Sequence, residues 1–168
     1  QVDLNTLFVT NAANFTGEEK VAVKIIDPTV TAAQADAIAN KTSGVVTATI
    51  ATGEAAALNL ALDDKTVGQK TVNAYTLKVS DTLLGGAAAK DLKELDAKTS
   101  VVVDAKAVTA IKGSAADIKT VLAAKTITTA ENVAANVDGV ISAADANTIS
   151  KATTGKVTAT VDAGTAAA

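Results

Sequence analysis

The 168-residue chain contains no cysteine, methionine, histidine, tryptophan or arginine, and a single proline. Without histidine or cysteine, the commonest general bases, nucleophiles and soft-metal ligands are missing. Without arginine there is no fork for bidentate binding of phosphate or carboxylate, and all 15 basic residues are lysine. Aromatic residues make up 2% of the chain, so the core has to be built from Ala, Val, Ile and Leu. Such a core suits regular layers in which the same modest volume recurs at each level. A net charge of −3 argues against nucleic acid, which wants a basic face. Mean hydropathy is positive at +0.28, yet charged or polar residues interrupt every apolar run well short of the ~18 residues that span a bilayer. The missing cysteine fits any compartment. The missing methionine favours the outside of a cell, because its oxidation disrupts cores. With neither an initiator Met nor a signal-peptide pattern, Gln1 reads as a processed or excerpted start.

What the chain does contain is a repeat. VTAAQADAIANKTSGVVTATI at 30–50 returns as ISAADANTISKATTGKVTATV at 141–161, 111 positions later and without a gap. A weaker copy, AAAKDLKELDAKTSVVVDA, lies between them at 87–105. Three landmarks recur in fixed order. An Asp closes an expected strand at Asp27, Asp81 and Asp138; a Thr-Ser/Thr-Gly stop ends a helix at Thr42, Thr99 (Val101 in place of Gly) and Thr153; a Gly-x-Ala-Ala start opens another at Gly53, Gly113 and Gly164. The period is about 55 residues.

Within one repeat, Thr31-Ala-Ala-Gln34, Ser114-Ala-Ala-Asp117 and Ser142-Ala-Ala-Asp145 read as capping boxes or close relatives. Apolar pairs at helical spacing follow: Ala35/Ile38, Leu92/Leu95 and Ala146/Ile149. These helices are short and Ala-rich and need a sheet to lean on; Gly44 and Gly155 are placed as their C′ residues. Residues 45–50 and 156–161, alternating Thr with Val, Ala or Ile, read as strands. Further helices are expected over 55–62 and 115–123, and strands over 22–26 and 75–79. The stretch TITTAENVAANV at 126–137 looks more helical than its counterparts, and its class stays open. The expected fold is a single α/β domain, a parallel α/β solenoid of about three repeats, each strand–helix–strand–helix, with phases 4–57, 58–117 and 118–168.

Both ends fall inside a repeat. Sliding 1–26 onto 55–80 sets Leu4 on Leu58 and Phe8 on Leu62, while Ala166, Ala167 and Ala168 fall at the phase of Ala55–Ala57. Leu4 and Phe8 at one end and Val161, Ala166, Ala167 and Ala168 at the other are the expected assembly ends. Neither carries the polar cap that an isolated solenoid requires. The chain is therefore expected to join copies of itself head to tail, or adjoining repeats of a longer chain; a heterologous contact that does not close gives filaments.

Other candidates each have a plainer reading. Asp27, Asp81 and Asp138, with the pair Asp63-Asp64, could hold Ca²⁺ at a sheet edge, but an Asp serves turns and helix starts as readily; no other cofactor is indicated. Thr47 and Thr49, with Thr158 and Thr160, place two hydroxyls on one face of each strand. Stacked, they would form a Thr ladder suited to ice, although Val102-Val103-Asp104 breaks it in the middle copy. Asn14 and Asn40 begin N-glycosylation sequons. Lys41, Lys98 and Lys151 sit near helix ends, where their charge opposes the dipole.

NAYTLKVSDT, AAKDLKELDAKTSVVVDAKAVTAIKGSAADI and ISAADANTISKATTGKVTATV together resemble the Ala/Thr/Val-rich repeats of very large secreted bacterial surface proteins. Such repeats occur in adhesin-like and motility-associated giants, of marine cyanobacteria in particular. The resemblance implies an extracellular or cell-surface structural module and carries no catalytic residue. A non-enzymatic, filament-forming or cell-surface module is the expected function. The alternative is a ligand-binding surface module of an adhesin, taking ice through threonine or glycan through polar side chains.

Overall fold

The computed structural model describes residues 20–62, 72–81 and 86–164. The chain alternates short strands and short helices: β1 (Val23–Lys24), α1 (Ala32–Ala39), β2 (Val46–Thr49), α2 (Ala55–Ala61), β3 (Ala74–Thr76), β4 (Ala87–Ala88), α3 (Ala89–Ala97), β5 (Val103–Ala105), β6 (Ala110–Gly113), α4 (Ala115–Ala123), β7 (Ile127–Thr129), β8 (Ala134–Ile141), α5 (Ala143–Ala152) and β9 (Val157–Val161). The fold is α/β, with five helices and parallel sheets among the described residues. No helix among them is long and apolar enough to cross a membrane.

Helix starts follow local chemistry. The Thr31 hydroxyl accepts from the Gln34 amide at 3.2 Å while the Gln34 side chain answers the Thr31 N–H at 3.0 Å, a complete capping box. Ser114 and Ser142 accept from the amides of Asp117 and Asp145, each at 3.1 Å. Helix α2 lacks a cap from its own Glu54; instead the Asp81 carboxylate, buried and carried by a later strand segment, accepts from the Ala55 N–H at 3.1 Å. An anionic oxygen at a helix N-terminus meets both an orphan donor and the positive end of the dipole.

Strands pair with partners 20 to 27 positions further along. Val23 faces Val46, Thr47 faces Ala74, Val103 faces Ile127, Ala110 faces Ala134, Ala135 faces Val157 and Val30 faces Ile50. The sheets have the orders β1-β2-β3, β5-β7 and β4-β6-β8-β9, and the bridge Lys78–Asp104 links the first two. Parallel neighbours require a crossover, and the helices supply it. Consecutive helices pack on one another, α1 on α2 through to α4 on α5. Alternation along β2 buries Val46 and Ala48 and exposes Thr47 and Thr49. Leu58, Leu92, Leu95, Ile118, Val121 and Ile149 reach down from the helices to meet Val46, Val79, Val103 and Ile111 from the sheets. This is the small-aliphatic core that the composition requires.

One open stretch takes a class, and two expectations change. Residues 126–137 are not helical: Ile127–Thr129 is β7, and Ala134 opens β8 after a turn at Glu131-Asn132. Buried Ile127, Val133 and Ala135 give that stretch the inward apolar points of strand pairing, which outweigh its Ala content. Asp138 does not close a strand but lies inside β8, at the irregularity between Asn136 and Val140. Gly44 and Gly155 are not C′ residues in the left-handed region, because α1 ends at Ala39 with Asn40 as C-cap and neither glycine has positive φ. They are small because the chain passes a neighbouring backbone there: a Cβ would lie 2.3 Å from the Val21 carbonyl oxygen at Gly44, and 2.3 Å from that of Val133 at Gly155.

Candidate functional site

The recurring Thr of the helix stop is a buried clamp between neighbouring strand–helix passes. The Thr42 hydroxyl donates to the Val21 carbonyl at 2.6 Å and accepts from the Gly44 N–H at 3.0 Å. Thr99 donates to the Tyr75 carbonyl at 2.7 Å and accepts from the N–H groups of Tyr75 and Val101 at 3.0 and 3.1 Å. Thr153 donates to the Val133 carbonyl at 2.6 Å and accepts from the Gly155 N–H at 2.9 Å. A hydroxyl that bonds two residues ahead shapes the turn, and its proton ties that turn to the preceding strand. The sequence offered a cue to this role, since Thr persists in all three copies whereas the following Gly does not.

Across the helix row, side chains bridge successive helices. Lys93 on α3 pairs with Asp117 on α4, Lys119 on α4 pairs with Asp145 on α5, and the Asn59 amide reaches Glu94 from α2 to α3. Lys98 donates to the Leu62 carbonyl at the end of α2, a neighbour's C-terminus as well as its own. Lys93 and then Ser114 hold the Asp117 carboxyl below the usual range; Lys119 and then Ser142 do the same for Asp145. A depressed folded pKa contributes stability that is present above the ordinary Asp value of about 3.9 and lost as pH falls through the folded value. The thermal midpoint of the wild type is therefore expected to fall below pH 4 more steeply than that of the double variant Asp117→Asn/Asp145→Asn. Scanning calorimetry between pH 2.5 and 7 should show the two curves converging at the acid end. The separation at neutral pH should be only a few degrees, because both pairs are solvent-accessible.

The sequence-derived candidates are scattered. Asp27 is exposed beyond β1, Asp81 caps α2, and Asp138 sits in β8; the structure does not bring them together. No group of three or more Asp or Glu side chains able to hold a metal ion occurs among the described residues. Thr47 and Thr49 are exposed on β2 and Thr158 and Thr160 on β9, in two different sheets. Thr49 stands beside Thr76, but Thr47 lies between Lys24 and Ala74, Thr158 beside Asn136 and Thr160 beside Val140. Asn40 is exposed and donates to Asp36 at 2.7 Å, while Thr42 of its sequon is the buried clamp. Leu4, Phe8, Asn14, Asp63, Asp64, Ala166, Ala167 and Ala168 lie outside the described residues.

Val161, the remaining assembly candidate, marks the clearest anomaly on the surface. Strand β9 ends the order β4-β6-β8-β9, with a partner on one edge only among the described residues. Its sequence VTATV repeats the VTATI of 46–50, yet its burial differs. Ile50 is 2% exposed and Val161 45%; Val46 and Ala48 are buried, whereas Val157 and Ala159 are half-exposed. Helix α5 follows suit: Ala32 and Ala35 of α1 are buried, whereas the matching Ala143 is exposed and Ala146 half-exposed. The same residues that form core in the first copy form an open edge in the last.

Comparison with protein-family models, with curated proteins and with solved structures returns no match.

Proposed function

We propose that this chain is a non-enzymatic structural repeat module, a parallel α/β solenoid of about three 55-residue repeats that works by stacking onto further units of its own kind at a cell surface or outside the cell. The observation that carries the reading is the edge at β9 and α5, where, among the described residues, a strand and helix with inward-facing apolar residues have no further layer of the kind that covers their counterparts β2 and α1. An unpaired parallel edge is a template for another strand, and a stack of this kind needs either a polar cap or a neighbour. The sulfur-free composition supports the extracellular placement. A ligand-binding role for the sheet face has no comparable support, since its Thr pairs stand in separate sheets among Lys, Asn and Val.

The test is the molar mass of the purified chain by light scattering across a concentration series, with negative-stain electron microscopy of the same samples. Rods or filaments, with mass rising in whole multiples of 16.6 kDa, are expected. A single monomeric species at every concentration would sink the stacking of free chains.

A further inference from the structure

The open edge of β9 has two counterparts within the same molecule, and both are filled. Thr47 of β2 pairs with Ala74, and Asp104 of β5, at the equivalent position 57 residues later, pairs with Thr128. Thr158 of β9 is the third member of that series. The segment that covers β2 runs AYTLKVSD at 74–81, β3 with the bridge residues Lys78 and Val79 after it, and its equivalent 54 residues earlier is KVAVKIID at 20–27. Lys24 matches Lys78 and Asp27 matches Asp81, while Val21, Val23 and Ile25 take the places of Tyr75, Leu77 and Val79, so the apolar side chains point to the same face.

The backbone groups match as well. On β1 the N–H groups of Val23 and Ile25 donate to Val45 and Thr47, so those of Ala22 and Lys24 face the opposite edge. On β9 the Lys156 carbonyl accepts from Ala135, which turns the N–H groups of Val157, Ala159 and Val161 outward. Where β2 is covered, the Ile50 N–H donates to the Thr76 carbonyl and the Gly53 N–H to the Lys78 carbonyl. By the same offsets, Val161 would donate to Ala22 and Gly164 to Lys24. Gly164 would then exchange its present bond to the Asp162 carbonyl, at 2.9 Å.

Resting on the stacking reading above, we propose that the occupant of this edge is a second copy of the chain, whose residues 20–25 add in parallel to β9 in one register: Lys20 opposite Thr158, Val21 opposite Ala159 and Ala22 opposite Thr160. Docking covers the two apolar residues whose equivalents are buried, Val161 at 45% exposure and Val21 at 46%, against 2% for both Ile50 and Tyr75.

Because the chain has no cysteine, every disulfide in the test can be assigned. The single variants Thr160→Cys and Ala22→Cys are purified, mixed and oxidised with diamide. Both sites are exposed, so neither substitution disturbs the core. Adjacent parallel strands lie about 4.8 Å apart, within the Cα range of a disulfide. Covalent heterodimer is expected to form at least about tenfold faster than in a mixture of Thr160→Cys with Lys24→Cys, which is two residues out of register on the same face. Equal rates in particles that still assemble would overturn the register and leave the stacking reading standing. Monomers in every mixture, without crosslink, would overturn both and leave the edge to adjoining repeats of a longer chain.

Discussion

Gly86→Ala is expected to destabilise the chain by about 3–5 kcal/mol, the largest effect of an added methyl group among the described glycines. Two penalties combine there. Gly86 has φ +84°, where a Cβ costs about 1–2 kcal/mol. The added carbon would also lie 2.1 Å from the Ala110 carbonyl oxygen and 2.7 Å from the Ala110 Cβ. Gly86 immediately precedes β4, where Ala87 pairs with Ile111, so relief of the clash requires moving β4 off β6. Gly139→Ala separates the two penalties, since Gly139 has φ +76° and, its own chain neighbours aside, no atom lies within 4 Å of the added carbon. That variant should lose only about 1–2 kcal/mol. Urea denaturation of the two variants beside the parent measures the difference. Equal losses would mean that the approach of β4 to β6 contributes nothing, and that Ala87–Ala88 is not held against β6.

The contrast between Gly86 and Gly44 shows what a repeat discloses in sequence and what it hides. The capping chemistry was legible because it is local: a hydroxyl three residues before an amide or carboxylate needs no knowledge of the rest of the chain. Thr31, Ser114 and Ser142 accordingly start α1, α4 and α5. Strands β2 and β9 were legible from alternating Val, Ala and Thr, and α4 runs over the expected residues 115–123. Strands β4 and β6 were not, because Ala87–Ala88 and AIKG carry almost no β-branched character and exist through pairing with distant residues. Gly44 could be recognised as special, but the wrong reason suggested itself, since close approach to the Val21 carbonyl belongs to a contact 23 positions back in the chain.

The 55-residue period has a physical source as well. The segments that end in Thr42, Thr99 and Thr153 are closed by a hydroxyl, whereas at Asn73 the side-chain amide oxygen accepts from the Val46 N–H at 3.0 Å. Segments closed by Thr and the segment closed by Asn73 therefore do not look alike in sequence. Of the open edge, the sequence disclosed the phase of Val161 but not the outward N–H groups of β9, because hydrogen-bond parity exists only once β8 has taken the other side.

The clamp supplies the second large effect. In Thr99→Val the volume is kept and the hydroxyl removed, leaving the Tyr75 carbonyl and the N–H groups of Tyr75 and Val101 without their shared partner. Thr99 is 7% exposed and Tyr75 2%, so water does not replace that partner freely. At about 1–3 kcal/mol for each buried group left unsatisfied, with partial relaxation, a loss of about 3–4 kcal/mol is expected, and Thr99→Ser should recover most of it. Thr42→Val makes the same chemical change where the accepting Val21 is 46% exposed, so water can take over the carbonyl and the cost should be about 1 kcal/mol. Denaturant midpoints of the three variants give the comparison; Thr99→Val no worse than Thr42→Val would show that the buried hydroxyl is replaceable and the clamp incidental. The same pair reports on assembly. If a second copy covers Val21, water is excluded from that carbonyl too, and the cost of Thr42→Val should rise toward that of Thr99→Val as protein concentration increases, while the cost of Thr99→Val stays constant.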